Sequence, residues 1–201
     1  MATSLQTAPG WPPGLRIDRA FLTAAAAAEA LATLRVEVPW ESHTFTIFGR
    51  TVPMPRRIQM FGPHGYAYSG VHHPPRALGP TLTGLQRRIE EALGVPFNSV
   101  LANLYRDGSD SMGWHTDDDY PHGGQPAVAS LSLGATRRFR LRTRASPSDN
   151  RPRQTLSVDL TPGSLLVMDG AVLRDWQHAI PRTRKPVGAR INLTWRQMEG
   201  P

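Results

Sequence analysis

Residues Arg190–Arg196 read RINLTWR, and alternation along this segment separates two kinds of side chain. In an extended strand successive side chains point to opposite faces. Ile191, Leu193 and Trp195 therefore share one face, while Arg190, Asn192, Thr194 and Arg196 share the other. Two readings are open for the polar face. It lies in water as the outer side of a half-exposed strand, or it lines a cavity that holds an anion, because two guanidiniums spaced along one face can grip a dicarboxylate at both ends.

Working outward, HTFTIF (43–48), SVLANLY (99–105), AVASLSL (127–133), RRFRLRT (137–143), QTLSVDL (154–160) and SLLVMD (164–169) are short, alternating or apolar, and bounded by Gly, Pro, Asn and Asp, which predicts strands. The early part of the chain predicts two helices. TAAAAAEALATLR has high helix propensity from Thr23 to Arg35, with Thr23 as N-cap and Pro39 just beyond its end. Leu85, Ile89 and Leu93 fall on one helical face, which predicts a second helix from Thr83 to Leu93, stopped by Gly94 and Pro96. Helices followed by many short strands predict a mainly β, helix-flanked sandwich or barrel of the α+β class. With 201 residues and no stretch of linker composition, a single domain is expected, with the Pro/Gly-rich residues 1–15 flexible.

The chain contains no cysteine, which excludes disulfides, thiolate metal sites and a thiol nucleophile, so any metal must be held by His, Asp, Glu or backbone oxygen. The N-terminus has neither the basic run nor the apolar core of a signal peptide, and no segment approaches the ~20 apolar residues of a membrane span. A cytoplasmic protein without membrane contact is the expectation. The formal net charge is +7, with Arg137, Arg138, Arg140, Arg142, Arg144, Arg151 and Arg153 in one region and Arg182, Arg184 and Lys185 in another. This balance points to a polyanionic partner, although G+C-rich coding enriches arginine as well.

Against that charge stands WHTDDD (114–119), an imidazole followed by three carboxylates. At a strand end His115 and Asp117 share a face and can reach one ion. His-x-Asp followed at a distance by a second His is the ligand pattern of non-haem Fe(II) sites that keep positions open for co-substrate and dioxygen. Of the 7 histidines, His43 precedes a predicted strand far upstream, His64, His72 and His73 sit in Pro/Gly-rich turns, and His122 follows the acids too closely. His178, in DWQHAIP, has room for several intervening strands and is the best third ligand; the alternative is a satisfied surface histidine near Arg182. An open iron site with a dicarboxylate clamp on the strand that follows specifies 2-oxoglutarate as co-substrate.

Taken in order, NLYRDGSDSMGWHTDDD, ASLSLGATRRFRLR, PGSLLVMDG, WQHAIPRTRK and RINLTWR resemble the AlkB family of Fe(II)/2-oxoglutarate dioxygenases, which remove alkyl groups from nucleic acid bases; the likeness covers roughly residues 45 to 197. The resemblance implies a double-stranded β-helix, or jelly roll, with N-terminal helices and a nucleotide-recognition lid. It makes Fe(2+), 2-oxoglutarate and O2 the cofactor and co-substrates, with His115, Asp117 and His178 as iron ligands. It assigns Arg190 to the distal carboxylate of 2-oxoglutarate, Arg196 to the carboxylate beside the keto group, and Asn103, Tyr105, Asn192 and Thr194 to the same pocket. Residues 40–75 become the nucleotide-recognition region and residues 98–197 the catalytic core. There Tyr68 stacks on an extruded base, Tyr66 and Asp119 bond near it, and Phe48 is a wedge or, alternatively, strand core. Arg56 and Arg57 meet phosphate or are solvated surface charge. Asp118 and Asp119 recognise a cationic methylated base or are solvated loop acids. The implied function is oxidative repair of alkylated DNA by a monomer. Open alternatives are the same chemistry on RNA, tRNA or a protein side chain, and a basic nucleic-acid-binding module without turnover.

Overall fold

The computed structural model describes residues 4–47, 49–63, 66–68, 71–117, 127–144 and 153–198, with the backbone alone for residues 47, 66–68 and 71–73. Phe48, Asp118 and Asp119, expected at the substrate, lie outside the described residues, as do the side chains of Tyr66 and Tyr68.

Two antiparallel sheets carry the fold. The larger has the order β1 (Leu15–Asp18), β12 (Leu165–Asp169), β9 (Ala127–Gly134), β14 (Arg190–Arg196), β7 (Ser99–Tyr105), β4 (Arg57–Phe61). The smaller has the order β11 (Thr155–Leu160), β10 (Arg137–Thr143), β13 (Trp176–Ile180), β8 (Met112–His115). Two ribbons, β2 (Thr44–Ile47) with β3 (Arg50–Pro53) and β5 (Tyr66–Tyr68) with β6 (Val71–His73), stand apart from them. Apolar residues from both sheets, among them Tyr105, Phe139, Leu141, Leu160 and Met168, form one cluster between the layers. This is the jelly-roll arrangement the sequence led us to expect.

Helices cover the opposite face of the larger sheet. In α1 (Ala24–Glu37) the Thr23 hydroxyl accepts the Ala26 N–H at 3.2 Å, capping the helix as predicted, and Ala27, Ala30 and Leu34 form its buried stripe. The second helix, α2 (Pro80–Leu93), starts before the predicted Thr83. Gly79 takes the extended N-cap conformation and Pro80, whose fixed φ suits the first helical position, begins the helix. These helices pack with Leu131, Leu133, Ile191, Leu193 and Trp195 in a second apolar cluster. A short third helix, α3 (Ala171–Asp175), links β12 to β13.

That layering decides between the two readings of RINLTWR. The strand β14 lies between β9 and β7, and six of its seven residues are buried. Its apolar face is sealed by the helices, and its polar face turns inward between the sheets. Several strands escaped prediction. β4, β8 and β13 are short and lack clean alternation, and β1 lies directly after a Pro/Gly-rich stretch expected to be flexible. Within that stretch Gln6 exchanges two backbone bonds of 2.8 Å with Ile17, and Leu15 is fully buried. The larger sheet thus draws β1 and β4 from outside residues 98–197.

The turn from β9 to β10 depends on Gly134, at φ +82°, where an added Cβ meets the carbonyl oxygen of Ala189 and the side chain of Leu31. Both the left-handed backbone and the close approach oppose any side chain. Gly134→Ala is expected to lower stability by ~1–3 kcal/mol, read from urea unfolding with an unchanged m-value; an unaltered midpoint contradicts this account of the turn.

Candidate active site

Strand register assembles the inner wall. In β14, Arg190 lies opposite Tyr105 and Asn192 opposite Asn103 of β7, while on the other side Asn192 pairs with Ser132 and Thr194 with Ser130 of β9. Diagonal bonds join these rows. Arg190 Nη2 donates to Ser132 Oγ at 2.9 Å, and Asn192 Nδ2 donates to Ser130 Oγ at 2.8 Å. Thr194 Oγ1 donates to Asn192 Oδ1 at 3.3 Å. All of Asn103, Tyr105, Arg190, Asn192, Thr194 and Arg196 line one cleft with about 430 Å³ of space between atoms, part of it open to solvent.

The smaller sheet supplies the opposite wall. His178 of β13 stands directly across from His115 at the end of β8, and Asp117 follows in the bend beyond. Their ligand atoms lie within 4.8 Å of one another: Asp117 Oδ2 is 3.5 Å from His178 Nε2, and Asp117 Oδ1 is 3.9 Å from His115 Nε2. The ring of Phe139 lies 5.2 Å from that of His178. His115 Nδ1 is 3.0 Å from the carbonyl oxygen of Gly113; donating its proton there leaves Nε2 with a lone pair facing the carboxylate.

Electrostatics prepare the group for a cation. Burial, with His115 beside it, pushes His178 down to about 3, and burial lowers His115 as well. Burial alone favours a protonated Asp117, but the Arg196 guanidinium and both imidazoles reverse this and hold the carboxyl at about 2. At neutral pH the three side chains therefore offer two uncharged nitrogens and one anionic oxygen, a donor set suited to Fe(II) with positions left open.

The facing wall is prepared for an anion. Arg190 is 1% exposed, and its Nε and Nη1 have no hydrogen-bond partner among the described residues. Burial, reinforced by the like charge of Arg137, brings its pKa down to about 10, still cationic at neutral pH. The guanidiniums of Arg137 and Arg190 lie 5.6 and 5.2 Å from the centre of the Tyr105 ring. A carboxylate entering the cleft meets N–H groups otherwise left unsatisfied, so the residues present fit both an iron ion and a dicarboxylate.

Some placements differ from expectation. Arg56, expected at phosphate or in solvent, is buried at 6% exposure, and its Nε donates to Asn103 Oδ1 at 2.9 Å. It holds the Asn103 side chain at the cleft wall. Arg137, read as part of a basic surface, is also buried; it donates to the carbonyl oxygens of Asp107, Asp110 and Pro181. Arg196, expected only as an anion ligand, also donates to Asp117 Oδ1 at 2.7 Å. Ser130 and Ser132 were missed, although alternation in AVASLSL sets them on one face with Val128. Exposed charge does persist outside, where Arg138, Arg140, Arg182 and Lys185 line a groove.

Residues 14–196 match the family model described as the 2OG-Fe(II) oxygenase superfamily. "Alpha-ketoglutarate-dependent dioxygenase alkB homolog 3" of Rattus norvegicus is 40% identical over 164 residues, 80% of this chain and 56% of that protein. "DNA oxidative demethylase ALKBH2" of Mus musculus is 36% identical over 157 residues, 76% of this chain and 65% of that protein. The chain thus spans little more than half the length of these curated relatives. The solved structure of OsALKBH1 superposes with a TM-score of 0.64 at 19% identity, covering 93% of this chain and 99% of that one, a likeness of fold.

Protons compete with metal for the same nitrogens, so imidazoles already neutral have none to release. Two histidines of ordinary pKa together release about 1.5 protons on binding Co(II) at pH 6. Here well under one is expected, measured by isothermal titration in buffers of different ionisation enthalpy. Asp117→Asn is expected to weaken Co(II) binding at least ~100-fold in the same experiment.

Proposed function

Because the chain belongs to the 2OG-Fe(II) oxygenase superfamily, we propose that it is a dioxygenase that oxidatively dealkylates nucleic acid bases, with N1-methyladenine and N3-methylcytosine type lesions in DNA as its substrates. The observation that carries the chemistry is the pairing of a neutral-nitrogen, anionic-oxygen triad with a buried, under-bonded guanidinium across one cleft. The names of the relatives, a DNA oxidative demethylase among them, support the substrate class.

In this reading His115, Asp117 and His178 hold iron. Arg190 takes the distal carboxylate of 2-oxoglutarate and Arg196 the carboxylate beside the keto group, with Asn103, Tyr105, Asn192 and Thr194 around them. When bound, iron, dioxygen and 2-oxoglutarate supply the oxidant that hydroxylates the alkyl carbon on the base nitrogen, giving succinate and CO2 and releasing formaldehyde from a methyl lesion. The chain's own contribution is positioning. Arg196 fixes one oxygen of Asp117 and so turns the carboxylate toward the imidazoles. Asn192 is locked by Ser130 and the Leu131 carbonyl, and Asn103 by Arg56, before any ligand arrives. Leu101, Phe139 and Met168 keep the cleft floor apolar, which strengthens each charge interaction above it.

A base stacked in a duplex is out of reach of a site between two sheets, so the nucleotide must be extruded. This costs a few kcal/mol and less at a damaged pair, which favours lesions. Tyr68 is proposed to stack on the extruded base, with Tyr66, Asp118 and Asp119 contacting it and Phe48 entering the vacated space. The exposed Arg182 and Lys185 are suited to phosphate, with the salt dependence such contacts carry.

The deciding assay follows succinate and formaldehyde with Fe(II) and 2-oxoglutarate on methylated single-stranded DNA, duplex DNA and RNA. Turnover on DNA is expected, and release confined to RNA overturns the DNA assignment. His115→Ala and Asp117→Ala should each reduce formaldehyde release at least ~10³-fold while oligonucleotide affinity changes little; undiminished release from either variant would falsify the iron assignment. Arg190→Met removes a charge-assisted contact made only to the dicarboxylate. The KM for 2-oxoglutarate should therefore rise roughly 10- to 100-fold.

A further inference from the structure

The metal-facing side of the small sheet has a counterpart on its outer side that the chemistry above leaves unused. Trp114 precedes His115 and Gln177 precedes His178, and strand alternation sends both to the outer face. Arg142 of β10 engages both. Its Nε donates to Gln177 Oε1 at 3.0 Å, and its guanidinium lies 4.2 Å from the centre of the Trp114 ring, with that of Arg140 at 5.5 Å. Since β13 separates β10 from β8, the Trp114 ring meets the arginines across the intervening strand.

Strand β8 has weak means of holding its own place. Among the described residues it is an edge strand of 4 residues whose sheet partner is β13 alone, registered at His115↔His178 and Met112↔Ile180 with a shift between them. The chain beyond it carries Asp117. A slip of one residue exchanges the faces of such a strand, turning His115 outward and Trp114 inward. Short edge strands with an irregular ladder are also where local opening costs least.

We propose that Arg142 is a positioning residue for the metal centre, tying Trp114 and Gln177 together on the outer face so that β8 keeps the register that sets His115 opposite His178. This rests on the metal site proposed above. Arginine suits the task because a planar guanidinium can stack on an indole and donate sideways at the same time, which an ammonium cannot do. Arg138, four residues earlier on the same outer face, provides the contrast: it pairs with Asp159 of β11 at 3.0 Å, away from β8.

The test uses the full chain with Arg142→Ala, Arg142→Lys, Trp114→Leu and Arg138→Ala. Three quantities are read: Co(II) affinity, amide hydrogen exchange of residues 112–115 in the metal-free chain, and the thermal midpoint. Arg142→Ala and Trp114→Leu are expected to weaken Co(II) binding about tenfold. Both should speed exchange in β8 while the midpoint stays close to the parent's. Arg142→Lys, with charge but no planar fork, should fall between, and Arg138→Ala should match the parent in Co(II) affinity and exchange. Should Arg142→Ala not fold, Arg142→Lys and Trp114→Leu decide. Co(II) affinity within twofold of the parent in these variants overturns the proposal, including the case in which they lose only oligonucleotide affinity, which assigns Arg142 to nucleic acid. A parent chain that binds no Co(II) overturns the metal reading itself.

Discussion

A guanidinium taken out of water needs an anion or a full set of acceptors, and Arg190 has neither within the described chain: it has Ser132 and the Tyr105 side chain, and its Nε and Nη1 have no hydrogen-bond partner. Burying an unpaired charge costs several kcal/mol, a sum large against the whole stability of a small domain. A fold that accepts that cost is organised around a ligand. The surroundings are consistent with this, since the buried Arg137, over the same Tyr105 ring, bonds loop carbonyls and disfavours the charge on Arg190.

The strand that carries Arg190 can be polar on one side only because its other side is fully occupied. Ile191, Leu193 and Trp195 are closed off by α1 and α2, which stabilises the central strand and releases the opposite face from any duty to the core. Two sheets then meet across that face. The larger brings the row of Arg190, Asn192 and Thr194 through the β14–β7 and β14–β9 registers, and the smaller brings the triad through the β13–β8 pairing. Arg196 connects the two, reaching from the last residue of β14 to Asp117. Holding the acid, it ties the polar row of the larger sheet to the triad of the smaller one.

The basic composition proves to be divided between two roles. Arg56 and Arg137 are internal struts, while Arg138, Arg140, Arg182 and Lys185 remain outside as a charged groove. A charge count over the chain merges these populations. Both sets add to the field met by an approaching polyanion, but only the exposed set can touch its phosphates.

The sequence by itself determined the alternation of β14, the helix cap at Thr23, the His-x-Asp spacing in WHTDDD and the absence of thiolate chemistry, because each depends on neighbours within a few residues or on composition. The same local rule contained Ser130 and Ser132, whose face could have been read from AVASLSL. What local pattern could not supply was which face looks inward, that His178 stands opposite His115, or that Arg56 and Arg137 turn away from solvent. Those are decided by strand order and register between segments far apart in the chain, and by the helices that claim the apolar side of the larger sheet. An isolated strand has two equivalent faces; only packing makes one of them the interior.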